Sequence, residues 1–152
     1  KMGCLAQLVN VLAPIYTQVG GGMFCQTIYY PYQMAIRYAK GVALCTLVCG
    51  DKVESCYGDT EKVYTACSYL DGKYALFAIN KTAEDQVCEL DFQVTSVGMT
   101  ERIELSGKLH DYNSLQEPNK VKPRHVACKG GKARVHTVKL PAYSFTLLQF
   151  AE

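Results

Sequence analysis

The spacing of apolar positions changes once along this chain, near Gly41. Before it, Leu5, Leu8, Leu12 and Ile15 recur at steps of three and four, with Cys4 and Val11 beside them. That spacing predicts one apolar stripe on a helix of about three turns. Residues Lys1 to Leu5 could instead finish a strand. A second helix is expected from about Pro31, whose fixed φ suits a first helical position, carrying Met34, Ala35 and Tyr38 inward and stopping at Gly41. Arg37 and Lys40 then fall in its last turn, where cations favour the helix dipole.

After Gly41 the signals are those of strands and tight turns. Val42 to Cys49 is a short apolar run. Lys62 to Tyr69 and Lys73 to Ile79 flank Asp71-Gly72, a pair suited to a type I′ turn, and predict a hairpin whose tyrosines face across the strands. Val87 to Phe92 and Thr100 to Lys108 alternate apolar with polar, and Arg134 to Leu140 followed by Ser144 to Phe150 closes the series. Roughly seven or eight strands at this spacing predict an antiparallel sandwich or barrel. His110 to Arg124, polar and carrying Pro118 and Pro123, reads as an ordered surface loop.

Charge sharpens the first segment. No charged side chain lies between Lys1 and Arg37, and the first of the 14 acidic residues is Asp51. The stretch is no membrane span, because Gln7, Asn10, Pro14, Gln18, Gly20 to Gly22, Gln26 and Pro31 interrupt it before the roughly 20 apolar residues a bilayer requires. It is therefore expected to be covered by further protein, with this chain part of something larger. The formal charge of +2, with Lys and Arg scattered among acids, lacks the basic footprint of a nucleic-acid binder. No compact apolar stretch with a small-residue cleavage pattern suggests a secretory signal.

Eight cysteines, at 4, 25, 45, 49, 56, 67, 88 and 128, invite disulfide or metal readings. Their irregular spread over a chain that is 49% hydrophobic does not suit a disulfide scaffold. Only Cys45 and Cys49 approach a zinc-ligand spacing, and on a strand they would stand about 13 Å apart. Small buried hydrophobes in a reducing cytoplasm is the simpler reading.

Catalytic motifs are missing. There is no Gly-x-Ser-x-Gly elbow and no phosphate-cradling loop, and Gly20-Gly21-Gly22 leads into Met23-Phe24, unsuited to a dinucleotide fingerprint. His110-Asp111 has no partner nucleophile. The carboxylate pairs Asp51 with Glu54 and Glu84 with Asp85 sit in turn-like segments and read as solvated turns, as does Asn80-Lys81-Thr82 despite its match to a glycosylation acceptor.

Three blocks of residues nevertheless carry a family signature: Cys4-Leu-Ala-Gln-Leu-Val-Asn-Val-Leu-Ala-Pro-Ile-Tyr-Thr17, then Gly21-Gly22 with Gln26-Thr-Ile-Tyr-Tyr-Pro-Tyr32, then Arg37-Tyr-Ala-Lys-Gly41. In order and content they resemble the C-terminal end of the α-L-arabinofuranosidases of glycoside hydrolase family 51. Leu76 to Asn80, His110-Asp111, Glu117-Pro118 with Val121-Lys-Pro123, and Leu140 to Ser144 resemble the same family's β-domain.

The resemblance implies a (β/α)8 catalytic barrel ending in residues 1–40, with its last strand and helix and a connecting helix, and a jelly-roll-like antiparallel β-sandwich over residues 41–152. It implies a retaining enzyme that releases terminal α-L-arabinofuranosyl groups from arabinan and arabinoxylan through two glutamates upstream of Lys1, so this chain alone would be non-catalytic. By the same resemblance Gln7 hydrogen-bonds the arabinofuranose, with Asn10 and Gln26 as further substrate-binding candidates. The implied partners are the missing barrel, arabinose-containing oligosaccharides and further copies in a homo-oligomer; the implied setting is a bacterial cytoplasm, without cofactor, metal, nucleic acid or membrane. Phe24-Cys25 stands where many members have Trp-Arg, and the chain lacks tryptophan, which weakens a sugar platform at this loop. Two other classes remain open: a stand-alone carbohydrate-binding sandwich and a cysteine-based metal or redox module.

Overall fold

The computed structural model describes residues 5–56, 58–128 and 130–152, and over these the chain is built from antiparallel strands and one helix. In order they are β1 (Ile15–Thr17), β2 (Met23–Cys25), α1 (Tyr29–Tyr38), β3 (Val42–Leu44), β4 (Lys52–Val53), β5 (Thr60–Glu61), β6 (Val63–Leu70), β7 (Lys73–Asn80), β8 (Gln86–Asp91), β9 (Gly98–Ser106), β10 (Arg124–His125), β11 (Val135–Leu140) and β12 (Ser144–Ala151).

Asp71 and Gly72 form the expected turn. Both take left-handed φ, 48° and 74°, as a type I′ hairpin requires, and the strands they join pair Tyr69 with Tyr74, ring centroids 4.8 Å apart. This hairpin lies inside a six-stranded sheet ordered β10-β9-β12-β7-β6-β3, with every neighbouring pair antiparallel. β8 and β11 form a separate two-stranded sheet, and β1 with β2 and β4 with β5 form small ribbons.

Both faces of the six-stranded sheet are covered. On one, Ala75, Phe77, Ile103, Leu105 and Leu147 meet Met34 of α1, flanked by Tyr30 and Tyr38. On the other, Leu76, Leu148 and Phe150 pack with Val138 of β11 and with Cys88, Leu90 and Phe92 of the β8 segment. Successive side chains of a strand point to opposite faces, so double coverage explains why β7 is buried continuously from Ala75 to Ala78 instead of alternating. The result is a β-sandwich-like arrangement with one helix on its outer side. Polar clasps hold the layers in register: Arg102 of β9 pairs with the buried Glu104 and also donates to the Lys139 carbonyl of β11.

Two expected helices reduce to one. Residues 5–14 are irregular, mostly bends with Val9 bridged to Ile15, and Asn10 and Val11 are both at φ 57°. Pro14 lacks the N–H that a helix would direct to Asn10, and its ring would crowd that carbonyl. Asn10 instead spends its side chain on Thr17, giving the backbone an alternative to the helix. Nothing among the described residues covers Leu8 and Leu12, 65% and 75% exposed, so the packing that stabilises most short helices is missing. The strand possible for Lys1 to Leu5 lies, but for Leu5, outside the described residues.

The second helix is present and begins two residues earlier than expected, which still leaves Pro31 in the first turn where its lack of an N–H costs nothing. It buries Met34, half-buries Ala35 and Tyr38, and ends at Tyr38. Val42 to Cys49 contributes only three residues of strand, and the loop before β10 is less superficial than its polarity suggested, since Asn113 and Val121 are buried in it.

Candidate functional site

Three sequence candidates, Gln7, Asn10 and Gln26, all precede α1. The β1-β2 ribbon organises the latter two. Its register pairs Ile15 with Cys25, Tyr16 with Phe24 and Thr17 with Met23, and the Tyr16 and Phe24 rings lie 5.2 Å apart. Gly20, Gly21 and Gly22 turn the chain with φ of 87°, 109° and 100°, a conformation that side chains with a Cβ resist.

Asn10 is drawn onto β1. Its backbone N–H donates to the Ile15 carbonyl at 2.8 Å, its Nδ2 donates to Thr17 Oγ1 at 2.9 Å, and its Oδ1 accepts from the Thr17 N–H at 2.7 Å. Gln26 follows β2 directly; its N–H donates to the Pro14 carbonyl at 2.7 Å and its carbonyl accepts from the Tyr29 N–H at 2.9 Å, at the start of α1. Gln7 lies on the exposed segment before Asn10.

Sequence reasoning passed over the residue that braces this ribbon from behind. Asn113, 3% exposed, donates from Nδ2 to the Cys25 carbonyl at 2.9 Å and to the Val121 carbonyl at 2.9 Å, while its Oδ1 accepts from the Val121 N–H at 2.8 Å. Beside it, burial pushes the Tyr30 phenol up from its ordinary value.

Two open clefts flank α1. One, of about 380 Å³, runs between Ile28 and Tyr32 on the helix side and Lys108, Asp111 and Tyr143 opposite. The other, of about 490 Å³, is apolar, with Ala35, Tyr64, Phe77 and Phe145 in its walls. Neither is lined by Gln7, Asn10 or Gln26.

Other titratable groups are engaged structurally. Asp111 accepts the Lys108 N–H at 2.9 Å and pairs with Lys120 at 3.3 Å; these contacts hold its carboxyl below the ordinary range. Asp85 is held low in the same way by Lys139, 2.7 Å away, and by the Ala142 N–H. Asp51 pairs with Lys62 at 3.5 Å on the surface. His136 is half-buried among Phe92 and Phe150, its Nε2 2.8 Å from the Val97 carbonyl.

The seven described cysteines are free. Burial pushes the Cys67 thiol up to about 11 and raises those of Cys88 and Cys128, which disfavours the reactive thiolate. Among the described residues no three His, Cys, Asp or Glu side chains gather as a metal site would require, and no helix is long and apolar enough to cross a membrane.

Residues 1–144 match the family model described as the alpha-L-arabinofuranosidase C-terminal domain. The intracellular exo-alpha-(1->5)-L-arabinofuranosidase of Streptomyces lividans is 33% identical over 132 residues, which is 82% of this chain and 20% of that protein. The protein of the same name from Halalkalibacterium halodurans is 42% identical over 90 residues, 53% of this chain and 17% of that protein. Among solved structures, a family 51 α-L-arabinofuranosidase from Bifidobacterium longum superposes with a TM-score of 0.85 at 24% identity, covering 95% of this chain and 30% of that one. An arabinose complex of the Thermotoga maritima α-L-arabinofuranosidase gives a TM-score of 0.81 at 15% identity, covering 97% and 33%. The chain spans about a fifth of the length of the curated relatives it matches.

Proposed function

Because this chain belongs to the alpha-L-arabinofuranosidase C-terminal domain family, we propose that it is the non-catalytic C-terminal part of a retaining α-L-arabinofuranosidase. The match over residues 1–144 carries this reading. In it, residues 1–40 complete a (β/α)8 barrel and residues 41–152 form a sandwich of jelly-roll type that braces it. Two barrel glutamates upstream of Lys1 would remove terminal α-L-arabinofuranosyl groups from arabinan or arabinoxylan, one as acid/base and one as nucleophile, about 5 to 5.5 Å apart. This chemistry is complete with two carboxylates and calls for no cofactor.

The uncharged N-terminal segment supports the reading. Leu8, Val11 and Leu12 are exposed on it, an apolar surface that a barrel would cover. Active sites of such barrels lie at the C-terminal ends of their strands, and Gln7 directly follows what would be the last one. An amide both donates to and accepts from hydroxyls, which suits Gln7 to the glycone. Asn10, whose side chain clasps Thr17, and Gln26 are further substrate-binding candidates in this reading. Relatives named intracellular favour a cytoplasmic setting, and the complete enzyme is read as a homo-oligomer.

The test is kinetic. The complete polypeptide should release arabinose from an aryl α-L-arabinofuranoside with retention, Gln7→Ala should cost at least about tenfold in kcat/KM, and the isolated chain should be inactive. A complete polypeptide without this activity would overturn the reading. Calorimetric binding of arabino-oligosaccharides by the isolated chain would favour the carbohydrate-binding module instead.

A further inference from the structure

The peptide group joining Cys25 to Gln26 is fixed at both poles. Its oxygen accepts from Asn113 Nδ2 at 2.9 Å, and its N–H donates to the Pro14 carbonyl at 2.7 Å. From this geometry we infer that Asn113, on the sandwich loop between β9 and β10, is a positioning residue for Gln26 in substrate recognition.

The amide is itself rigid before it reaches Cys25. Its Oδ1 and one Nδ2–H pair with the N–H and carbonyl of Val121, so Asn113 and Val121 close the loop on itself much as two strand residues pair. Both amide hydrogens and the oxygen are used, and the side chain is buried, leaving it no alternative partner in water. A buried amide committed in this way holds the plane of the Cys25-Gln26 peptide, and with the Gln26 carbonyl held by the Tyr29 N–H at 2.9 Å the backbone on both sides of the Gln26 Cα is restrained.

The same loop touches the ribbon a second time. A Cβ placed on Gly22 would meet Leu115 Cδ2 at 3.3 Å, so Leu115 lies directly against the glycine turn. The ribbon is thus gripped at its base by Asn113 and near its turn by Leu115. Both contacts come from a segment about 90 residues away in sequence, as the 88-residue separation of Cys25 and Asn113 shows. This inference rests on the proposed function, in which Gln26 is a substrate-binding candidate; it adds that the sandwich sets part of the binding site.

Asn113→Asp separates the roles of the amide. The carboxylate can still accept from the Val121 N–H but cannot donate to Cys25, and it faces two carbonyl oxygens instead. In the complete polypeptide, assayed on an aryl α-L-arabinofuranoside, KM should rise at least about tenfold with kcat within about twofold, because positioning lost from a binding group weakens ground and transition states alike. Hydrogen exchange in a peptide covering residues 15–27 should accelerate in parallel. Leu115→Ala, which leaves the amide in place, should give a smaller rise in KM, and it decides the matter if Asn113→Asp does not fold. Unchanged KM in a variant whose 15–27 peptide exchanges faster would overturn the inference, as would unchanged exchange. A wild-type polypeptide without arabinofuranosidase activity would instead remove the underlying reading, and the exchange measurement would still decide whether Asn113 holds the ribbon.

Discussion

Asn80 Nδ2 donates to the Pro141 carbonyl at 2.8 Å, joining the end of β7 to the turn that enters β12. The same nitrogen reaches the Glu84 carbonyl at 2.8 Å, and Oδ1 accepts from the N–H and hydroxyl of Thr82. The side chain is 1% exposed, so these groups have no water to fall back on. Asn80→Ala should therefore destabilise the domain by about 3 kcal/mol, the cost of leaving several buried polar groups unpaired. Chemical denaturation would check this; a change under about 1 kcal/mol would refute the anchoring role.

Gly41 admits no side chain. Its φ is +79°, and a Cβ there would stand 2.1 Å from the Tyr69 carbonyl oxygen. Gly41→Ala must either push β3 from β6 or rotate the link from α1, and a loss of about 3 kcal/mol or more is expected in thermal melts.

Thiol chemistry should follow burial. Cys45, Cys49 and Cys56 are exposed, whereas Cys67, Cys88 and Cys128 are partly buried with raised thiol values. Time-resolved alkylation with peptide mapping should label the first three rapidly and the other three more slowly. Equal rates for Cys67 and Cys45 in the native protein would contradict this order.

Lys139, and then the Ala142 N–H, hold the Asp85 carboxyl below its ordinary value of 3.8. A depressed carboxyl contributes stability above its unfolded value, and that contribution is lost as pH falls through the folded value. Asp85→Asn should accordingly flatten the acid limb of a stability profile below pH 3.8 and leave its slope near neutrality unchanged.

Leu8 and Leu12 offer the isolated chain a surface for self-association. Sedimentation velocity should show concentration-dependent dimers for the wild type and fewer for the Leu8→Ser, Leu12→Ser double variant, with an unchanged melting temperature.

Local signals proved readable where they were self-sufficient. Asp71-Gly72 dictates its hairpin through backbone conformations few other pairs adopt, and Pro31 with Met34 and Tyr38 marks α1 by start and face alike. The stripe Leu5, Leu8, Leu12, Ile15 misled because periodicity records which residues seek cover without saying whether cover is present, and Pro14 and the φ of Asn10 outweigh it. Asn80 and Asn113 were illegible for a different reason. A buried amide and a turn amide have the same letter, and these two acquire their roles from partners 61 and 88 residues away. Gln7, Asn10 and Gln26 stood out only through the family resemblance, and their division into an exposed residue, a clasp and a clamped peptide needed the ribbon.

The position of β12 has a consequence for how the domain comes into being. It lies between β9 and β7, both completed long before residue 144 is reached. Until it inserts, β3-β6-β7 and β9-β10 are two separate fragments, each with an open edge where β12 will pair. Such a sheet cannot grow strand by strand as the chain is made; it closes in one late, non-local step. Folding should thus be slow for the domain's size and sensitive, during that interval, to edge-to-edge association with other unfinished copies.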